Sequence, residues 1–535
     1  MSLNQLEEKY YLKSSIRLEP YNWGWYAWPQ LICPTTAAFN ILNRNLKLME
    51  SFVAMPEIHK LAAIDPSLMG GSFVNLDESS VPAVQQLIDE TKENCQELLQ
   101  LADAITQTDE LLRTHADGHS LENLYPLVPD CLKGRVELVY DANNHPTIRF
   151  IEALIYDKFY KEDGQAILIS DTTQDYRPFV LSTPKILHHD ECKLNLPFSD
   201  ERIDVLAKLR FEAMPLNKIY DLFTQDITQQ MILKEMLTKT PPYLDKARNY
   251  QGDNVRVRYF GHACILLETN NTRILIDPVV SYQYRSDTSR FTLNDLPDSI
   301  DYVLFTHIHD DHVLFETLFQ LRYKVKNFVI PRNNKGFLLD PSLKLILKKV
   351  GFKNLIDFDE FEELNFIDGQ IVGVPFFGEH CDLNIQTKMA YFIKLNKTSF
   401  LFAADSNNLE SELYQNIFQK LGKVDAFFIG MECVGAPLTW LYGPLLTYEI
   451  KNSHNQSRRL SGSNFGKAWE IVKMSQSSHV YVYAMGQEPW LNYIMALEYS
   501  DQSIQIAESN KLIEKCQENG IISERLFLKK EWYFK

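Results

Sequence analysis

Thr306-His307-Ile308-His309-Asp310-Asp311-His312 concentrates metal-binding chemistry in one short stretch. A lone histidine is most often a hydrogen-bonded structural residue. Three histidines and Asp311 at the end of a buried-strand pattern, residues 301–305, are not explained that way. Two histidines at i and i+2 leave an extended strand on the same side. The chain then turns, which returns Asp311 and His312 to a neighbouring point. One pair can serve one cation and the other pair a second cation close by.

The elements that must position this motif are short strands ending in polar loops. They are read at 255–260, 263–268 and 273–276, with a turn at Asn270-Asn271. The motif resembles the HxHxDH signature of the metallo-β-lactamase superfamily, over about residues 255–490. The resemblance implies an αββα sandwich with a dinuclear site on its rim. It also gives roles to other positions. Asp277, after the strand 273–276, is the aspartate that orients a ligand. Gly378-Glu379-His380, after the strand 371–376, is where the next ligand falls, with both Glu379 and His380 as candidate metal ligands. Asp405, ending the strand 400–404, is the carboxylate between the two metals; the alternative is a helix cap before Ser406-Asn407-Asn408. The superfamily's final histidine should follow the strand 479–483. The chain reads Ala484-Met485-Gly486-Gln487-Glu488-Pro489-Trp490 there, so the outer ligand of the second metal stays open. His479 and His454 are weak substitutes. His262, in Gly261-His262-Ala263, either supports the site or is simply buried.

Zinc does not change oxidation state. A more carboxylate-rich donor set suits iron, which can activate O2. The layout of the whole chain adds to this: an N-terminal α+β region, Gly-Glu-His-Cys-Asp-Leu at 378–383, Asp405, and Gly430-Met431-Glu432-Cys433. Together these resemble the dinuclear-iron β-hydroxylases of non-ribosomal peptide synthesis. That resemblance implies a monooxygenase with two iron ions (Fe2+/Fe3+) that uses O2 and an external electron donor. Its substrate would be an amino acid held as a thioester on a peptidyl carrier domain. His307, His309 and Glu379 would hold one iron, Asp311 and His312 the other, with Asp405 between them. Glu432 would act beside them as a supporting carboxylate or proton relay. A homodimer, with the N-terminal domain serving dimerisation and carrier docking, is also implied. Two readings compete: a dinuclear zinc hydrolase (lactonase or phosphodiesterase, with two Zn2+), which the Gly261-His262-Ala263 start favours, and a docking protein with a vestigial site.

At 535 residues the chain is too long for one ordinary core. The fold class is α+β: residues 1–245 as a mixed N-terminal domain and 246–535 as the catalytic domain. The two prolines of Thr240-Pro241-Pro242-Tyr243-Leu244 mark the linker. A helix is expected over 81–114, strands at 134–140, 146–154, 165–170 and 180–181, and helices at 201–212 and 216–237. Trp23, Trp25 and Trp28 suit an interface, a pocket wall or a core anchor. The eight cysteines include no CxxC pair, which fits a reducing cytoplasm. The start Met1-Ser2-Leu3-Asn4-Gln5-Leu6-Glu7-Glu8-Lys9 has no leader pattern. No stretch reaches the ~18 apolar residues of a membrane helix. The net charge of −16 and the lack of a basic stripe argue against a nucleic-acid partner. An acidic carrier would therefore need a local basic or apolar patch.

Overall fold

The computed structural model describes residues 7–535; residues 1–6, part of the start read above for a leader, lie outside it. Two seven-stranded sheets stack face to face in the C-terminal half. The first runs in the order Leu355–Phe358, Val325–Pro331, Ile300–Leu304, Arg273–Ile276, Cys264–Glu268, Val255–Gly261, Lys530–Phe534. The second runs Glu363–Phe366, Gly369–Val374, Ala390–Leu395, Thr398–Phe402, Ala426–Gly430, His479–Tyr483, Ile522–Arg525. Their inner faces supply one core, with Val257, Ile265 and Val329 from the first sheet meeting Tyr391, Phe400 and Phe428 from the second. Central strands such as Cys264–Glu268, Thr398–Phe402 and Ala426–Gly430 are buried on both sides and read as near-continuous apolar runs rather than alternating ones. The helices Ser411–Leu421, Phe465–Ser475 and Ile504–Glu518 cover the outer face of the second sheet.

The outer face of the first sheet is covered jointly. Phe305 and Leu318 share a core with Leu18, Ile167 and Leu206 of the N-terminal domain. That domain contains a four-stranded sheet, Trp25–Tyr26, Ile16–Asn22, Gln165–Asp171, Cys192–Leu194, and the hairpin Val136–Tyr140/Pro146–Phe150. Arg210 is fully buried between the halves and donates to Lys13 O, Ile16 O and Gln320 Oε1 at 2.9, 2.8 and 2.7 Å. Pro241 and Pro242 lie in a loop without regular structure, yet no gap separates the units on either side of it.

Several expected elements differ. The helix read over 81–114 is two, Val81–Asn94 and Gln96–His115, reoriented at the buried Cys95. Its apolar periodicity carries no trace of a one-residue break. The second hairpin strand stops at Phe150, because Glu152 starts a helix and anchors it. The Glu152 carboxylate accepts from Gly336 N and Ser342 N, both at 2.9 Å. No strand forms at 180–181; Val180 N donates to Tyr493 O at 2.9 Å in an irregular segment. The helix over 216–237 splits into Leu216–Phe223 and Ile227–Glu235, the second capped by Asp226. Trp25 and Trp28 are core residues, and Arg44 lies over the Trp28 ring. Among the described residues no helix is long and apolar enough to cross a membrane.

Candidate metal centre

The motif leaves the C-terminal end of the strand Ile300–Leu304 and is locked at once by Asp277. Asp277, itself in left-handed backbone at φ 41°, accepts from Thr306 N at 2.8 Å and from Thr306 Oγ1 at 2.6 Å. Its Oδ2 also lies 2.8 Å from His312 Nδ1. That bond orients the His312 ring, so Nε2 faces Asp405 Oδ2 at 3.0 Å and Asp311 Oδ2 at 3.5 Å. His307 Nε2 lies 3.7 Å from Asp405 Oδ2 and 3.9 Å from Glu379 Oε2. His309 Nδ1 lies 3.1 Å from Glu379 Oε1, while its Nε2 meets the Tyr442 hydroxyl at 3.0 Å.

Three sets of potential ligand atoms each fall within 4.8 Å of one another: His307, His309 and Glu379; His307, His312 and Asp405; and His262, Asp311 and His312. The middle set shares a member with each outer set, which places Asp405 between two points. His262 belongs to the second point. Its Nε2 lies 3.1 Å from Asp311 Oδ2, and its Nδ1 accepts from Gly486 N at 3.1 Å. The loop after His479–Tyr483, which lacks the histidine sought there, thus supplies an amide that orients an imidazole from another strand. His479 and His454 fall in none of the three sets.

His380, read with Glu379 as a metal ligand, is not brought into any of these sets. Gly378, Glu379, Cys381 and Asp382 all have positive φ. In this tight turn the Glu379 carboxylate faces the motif. His380 stacks on His309, with centroids 4.7 Å apart, and its Nδ1 lies 2.9 Å from Glu379 Oε2. Side-chain direction in a left-handed turn cannot be read from residue order.

His307 Nε2, His312 Nε2, Glu379 Oε2 and Asp405 Oδ1 are buried without a well-aligned hydrogen bond, although Asp405 Oδ2 lies 3.0 Å from His312 Nε2 and His380 Nδ1 lies 2.9 Å from Glu379 Oε2. Unpartnered buried polar atoms are costly and rare. Four of them converging from imidazoles and carboxylates form a donor set that suits two cations. The site opens into a cavity of about 700 Å³. His309, Asp311, Glu379, Asp405 and Glu432 line its polar end, and Trp440, Leu441 and Ile494 part of its apolar wall. The N-terminal residues Leu68, Met69 and Phe73 complete the wall. Trp440 Nε1 donates to Gly70 O at 2.8 Å and ties that segment in place. Neither Tyr442 nor the 67–73 segment carries any sequence signal of its own.

Residues 11–241 match the family profile of the diiron non-heme beta-hydroxylase N-terminal domain, and 256–445 match that of the beta-lactamase superfamily domain. The 4-amino-L-phenylalanyl-[CmlP-peptidyl-carrier-protein] 3-hydroxylase of Streptomyces venezuelae is 34% identical over 528 residues, 98% of this chain and 99% of that protein. The chain belongs to the diiron non-heme β-hydroxylase family. The crystal structure of CmlA, a diiron beta-hydroxylase from Streptomyces venezuelae, superposes with a TM-score of 0.92 at 33% identity, over 99% of this chain and 100% of that one. A UPF0173 metal-dependent hydrolase of Flavobacterium johnsoniae is 30% identical over 157 residues, 26% of this chain and 66% of that protein. That likeness is thus confined to about a quarter of the chain.

The electrostatics suit the cofactor that a diiron β-hydroxylase requires. Burial, reinforced by His312 and His309, pushes the His307 imidazole well below its ordinary pKa, so its lone pair is free for a metal. Burial opposes ionisation of Glu379, but His309 and His380 outweigh it and hold the carboxyl at about 2. Glu432 is pushed well above the carboxylate range, first by burial and then by Asp405, Asp311 and Glu379. So many carboxylates converging on one place need cations to be stable there.

Proposed function

We propose that this diiron β-hydroxylase inserts one oxygen atom of O2 into a β-C–H bond of an amino acid carried as a thioester on a peptidyl carrier domain. The second oxygen leaves as water, with two electrons from an external donor and two protons. The observation that carries the reading is the full-length likeness to a hydroxylase whose name specifies a carrier-bound aminoacyl substrate. It covers the N-terminal residues that wall the cavity as well as the ligand motif. When bound, a pair of ferrous ions supplies electrons to O2.

The chain's own residues do the rest. His307, His309 and Glu379 would hold one ion, and Asp311, His312 and His262 the other, with Asp405 available to both. Asp277 and Gly486 N fix the rings of His312 and His262, so the ligand nitrogens are set before a metal arrives. Tyr442 does the same for His309 through Nε2, leaving Nδ1 for the metal. Glu432 lines the cavity but belongs to none of the ligand sets. Its carboxyl group faces the cavity, where it can meet the substrate's α-amino group, two bonds from the reacting β-carbon, or relay a proton. The apolar wall takes the side chain and excludes water.

The test is metal content followed by single turnover. Purified protein should hold about two irons per chain. The reduced protein with O2 should add one oxygen atom to a carrier-bound aminoacyl thioester, read by mass spectrometry, and leave the free amino acid unchanged. Two zincs per chain with hydrolysis of the thioester, or equal hydroxylation of the free amino acid, would sink the proposal.

A further inference from the structure

The helix Pro56–Ala63 is fixed on one side only. Its buried side includes His59, whose Nε2 meets Ser51 Oγ at 2.8 Å and whose Nδ1 accepts from Val74 N at 3.0 Å. The helix is therefore pinned. Away from that side, Met55, Ile58, Leu61 and Ile64 recur every third residue and are 49%, 57%, 68% and 60% exposed. Leu68 continues the run at 42% exposed and also lines the metal cavity. Single exposed apolar residues are ordinary, but a run of them leading to a catalytic cavity marks an interaction surface.

Beyond the same loop, Ser72 borders a groove of about 670 Å³ whose cations, Arg44 and Lys47, face one carboxylate, Glu449. The π-helical turn Ile41–Asn45 sets Arg44 there, and such turns often occur at functional sites. Arg44 Nη2 donates to Trp440 O at 2.6 Å and to Leu441 O at 3.2 Å, and its Nη1 is buried, so the guanidinium braces the groove wall and Lys47 is the cation open to the groove. Trp440 lines both the groove and the metal cavity.

We infer that the stripe and the groove together receive the carrier protein, an inference that rests on the carrier-dependent reading above. The stripe seats the folded carrier. Lys47 binds the phosphodiester at the root of its arm, with the Arg44 charge behind it in the groove wall, and the arm passes Trp440 to reach the metals. A chain of net charge −16 repels a phosphodiester over most of its surface, so Lys47 at the groove is a local reversal placed where the arm needs it. A second copy of the chain would need neither the phosphate site nor a stripe ending at a cavity.

The test uses full-length, iron-loaded protein and, as probe, the peptidyl carrier that the Streptomyces venezuelae hydroxylase acts on. The carrier is prepared without its arm, with its arm, and loaded with 4-amino-L-phenylalanine. Binding is read by fluorescence anisotropy, mass by light scattering, and turnover by mass spectrometry. Ile58→Asp with Leu61→Asp, both solvent-facing, should weaken binding of every carrier form at least tenfold with no change in mass. Lys47→Glu should weaken binding of the armed carrier severalfold and leave the armless carrier unaffected. Unchanged carrier affinity in the double variant overturns the inference. So does a fall in mass, which would make the stripe an interface between copies, and so does an unmodified protein that binds no carrier. Oxygen insertion that ignores these variants would remove the docking surface and keep the hydroxylase reading. Binding that obeys them without oxygen insertion would do the reverse.

Discussion

At the scale of single residues, backbone conformation distinguishes Glu379 from His380. Both are buried beside His309, but only Glu379 turns an atom into a ligand set. Glu379→Ala should therefore reduce iron to one ion per chain or fewer and abolish turnover. His380→Ala should keep most of the iron, since it removes only a ring stacked on His309. Metal analysis of the two purified variants checks this, and the opposite ranking would return the ligand role to His380. Gly430 is a second decisive position. A Cβ there would come within 2.6 Å of Asp405 Oδ1 and 2.8 Å of Ala404 O. Backbone cannot give way cheaply, so Gly430→Ala should displace Asp405 and destabilise the fold by about 1–3 kcal/mol. Iron content should fall while circular dichroism stays unchanged. The cluster at 307–312 and Asp405 were legible because their residue types are dense and sit at strand ends. His262 was half-legible: its neighbours Gly261 and Ala263 flag a tight turn, but its partner Asp311 lies 49 residues away. Tyr442 gave no sign, and Gly430 showed only as part of Gly430-Met431-Glu432-Cys433, because their roles exist only in the packed structure.

At the scale of elements, the sandwich strands were readable and the helix boundaries were not. Apolar runs such as Ile300–Leu304 and His479–Tyr483 are set by burial on both faces, and nothing nearby competes with them. The breaks at Cys95 and at 224–226 serve tertiary packing, which leaves no local mark beyond the Asp226 cap. Charge buried inside an element is equally hard to read. By its charge pattern alone Arg322-Lys324-Lys326 reads as a solvated face, yet Lys324 is buried and donates to Pro297 O at 2.9 Å. Burial, helped by Arg248, pulls its ammonium down to about 8. For a base lowered on folding, the cost is fully present below pH 8. It fades between about 8 and the unfolded value near 10.4, as the folded state gives up its proton first. Lys324→Met should therefore be more stable than the unmodified protein at pH 7, by about 2 kcal/mol after the lost hydrogen bond. Denaturant titrations of both proteins from pH 7 to 10.5 should show that advantage shrinking through this window. A constant difference would mean that the ammonium is not paying a burial cost.

At the scale of the whole molecule, the two domains do not behave as separable units despite the proline-marked junction. The Arg177 guanidinium grips Glu316 of the catalytic domain with two bonds, at 3.1 and 3.0 Å, and reaches Glu19 of the N-terminal sheet at 3.3 Å. It also stacks over Tyr493, 3.6 Å from the ring centroid, in the segment that follows the His262-orienting loop. Glu19 and Glu316 are both buried, and the strongest attractions holding Glu19 ionised come from Arg177 and then Lys185. Replacing buried ion pairs wholesale can be neutral, but removing one partner strands the other charge and costs about 3–5 kcal/mol. Arg177→Met leaves Glu316 facing Glu19 with no guanidinium between them. The variant should lose stability on that scale, and its two halves should unfold together at a lower denaturant concentration rather than in two steps, because they share one apolar core. Arg177→Met with Glu316→Gln should recover part of the loss, since the second change removes a stranded charge. The same junction carries the 67–73 wall of the metal cavity, so loosening it should raise KM for a carrier-bound substrate before iron is lost. Two separate unfolding transitions in Arg177→Met, or full iron and unchanged KM at equal destabilisation, would show that the junction holds the domains together without shaping the site.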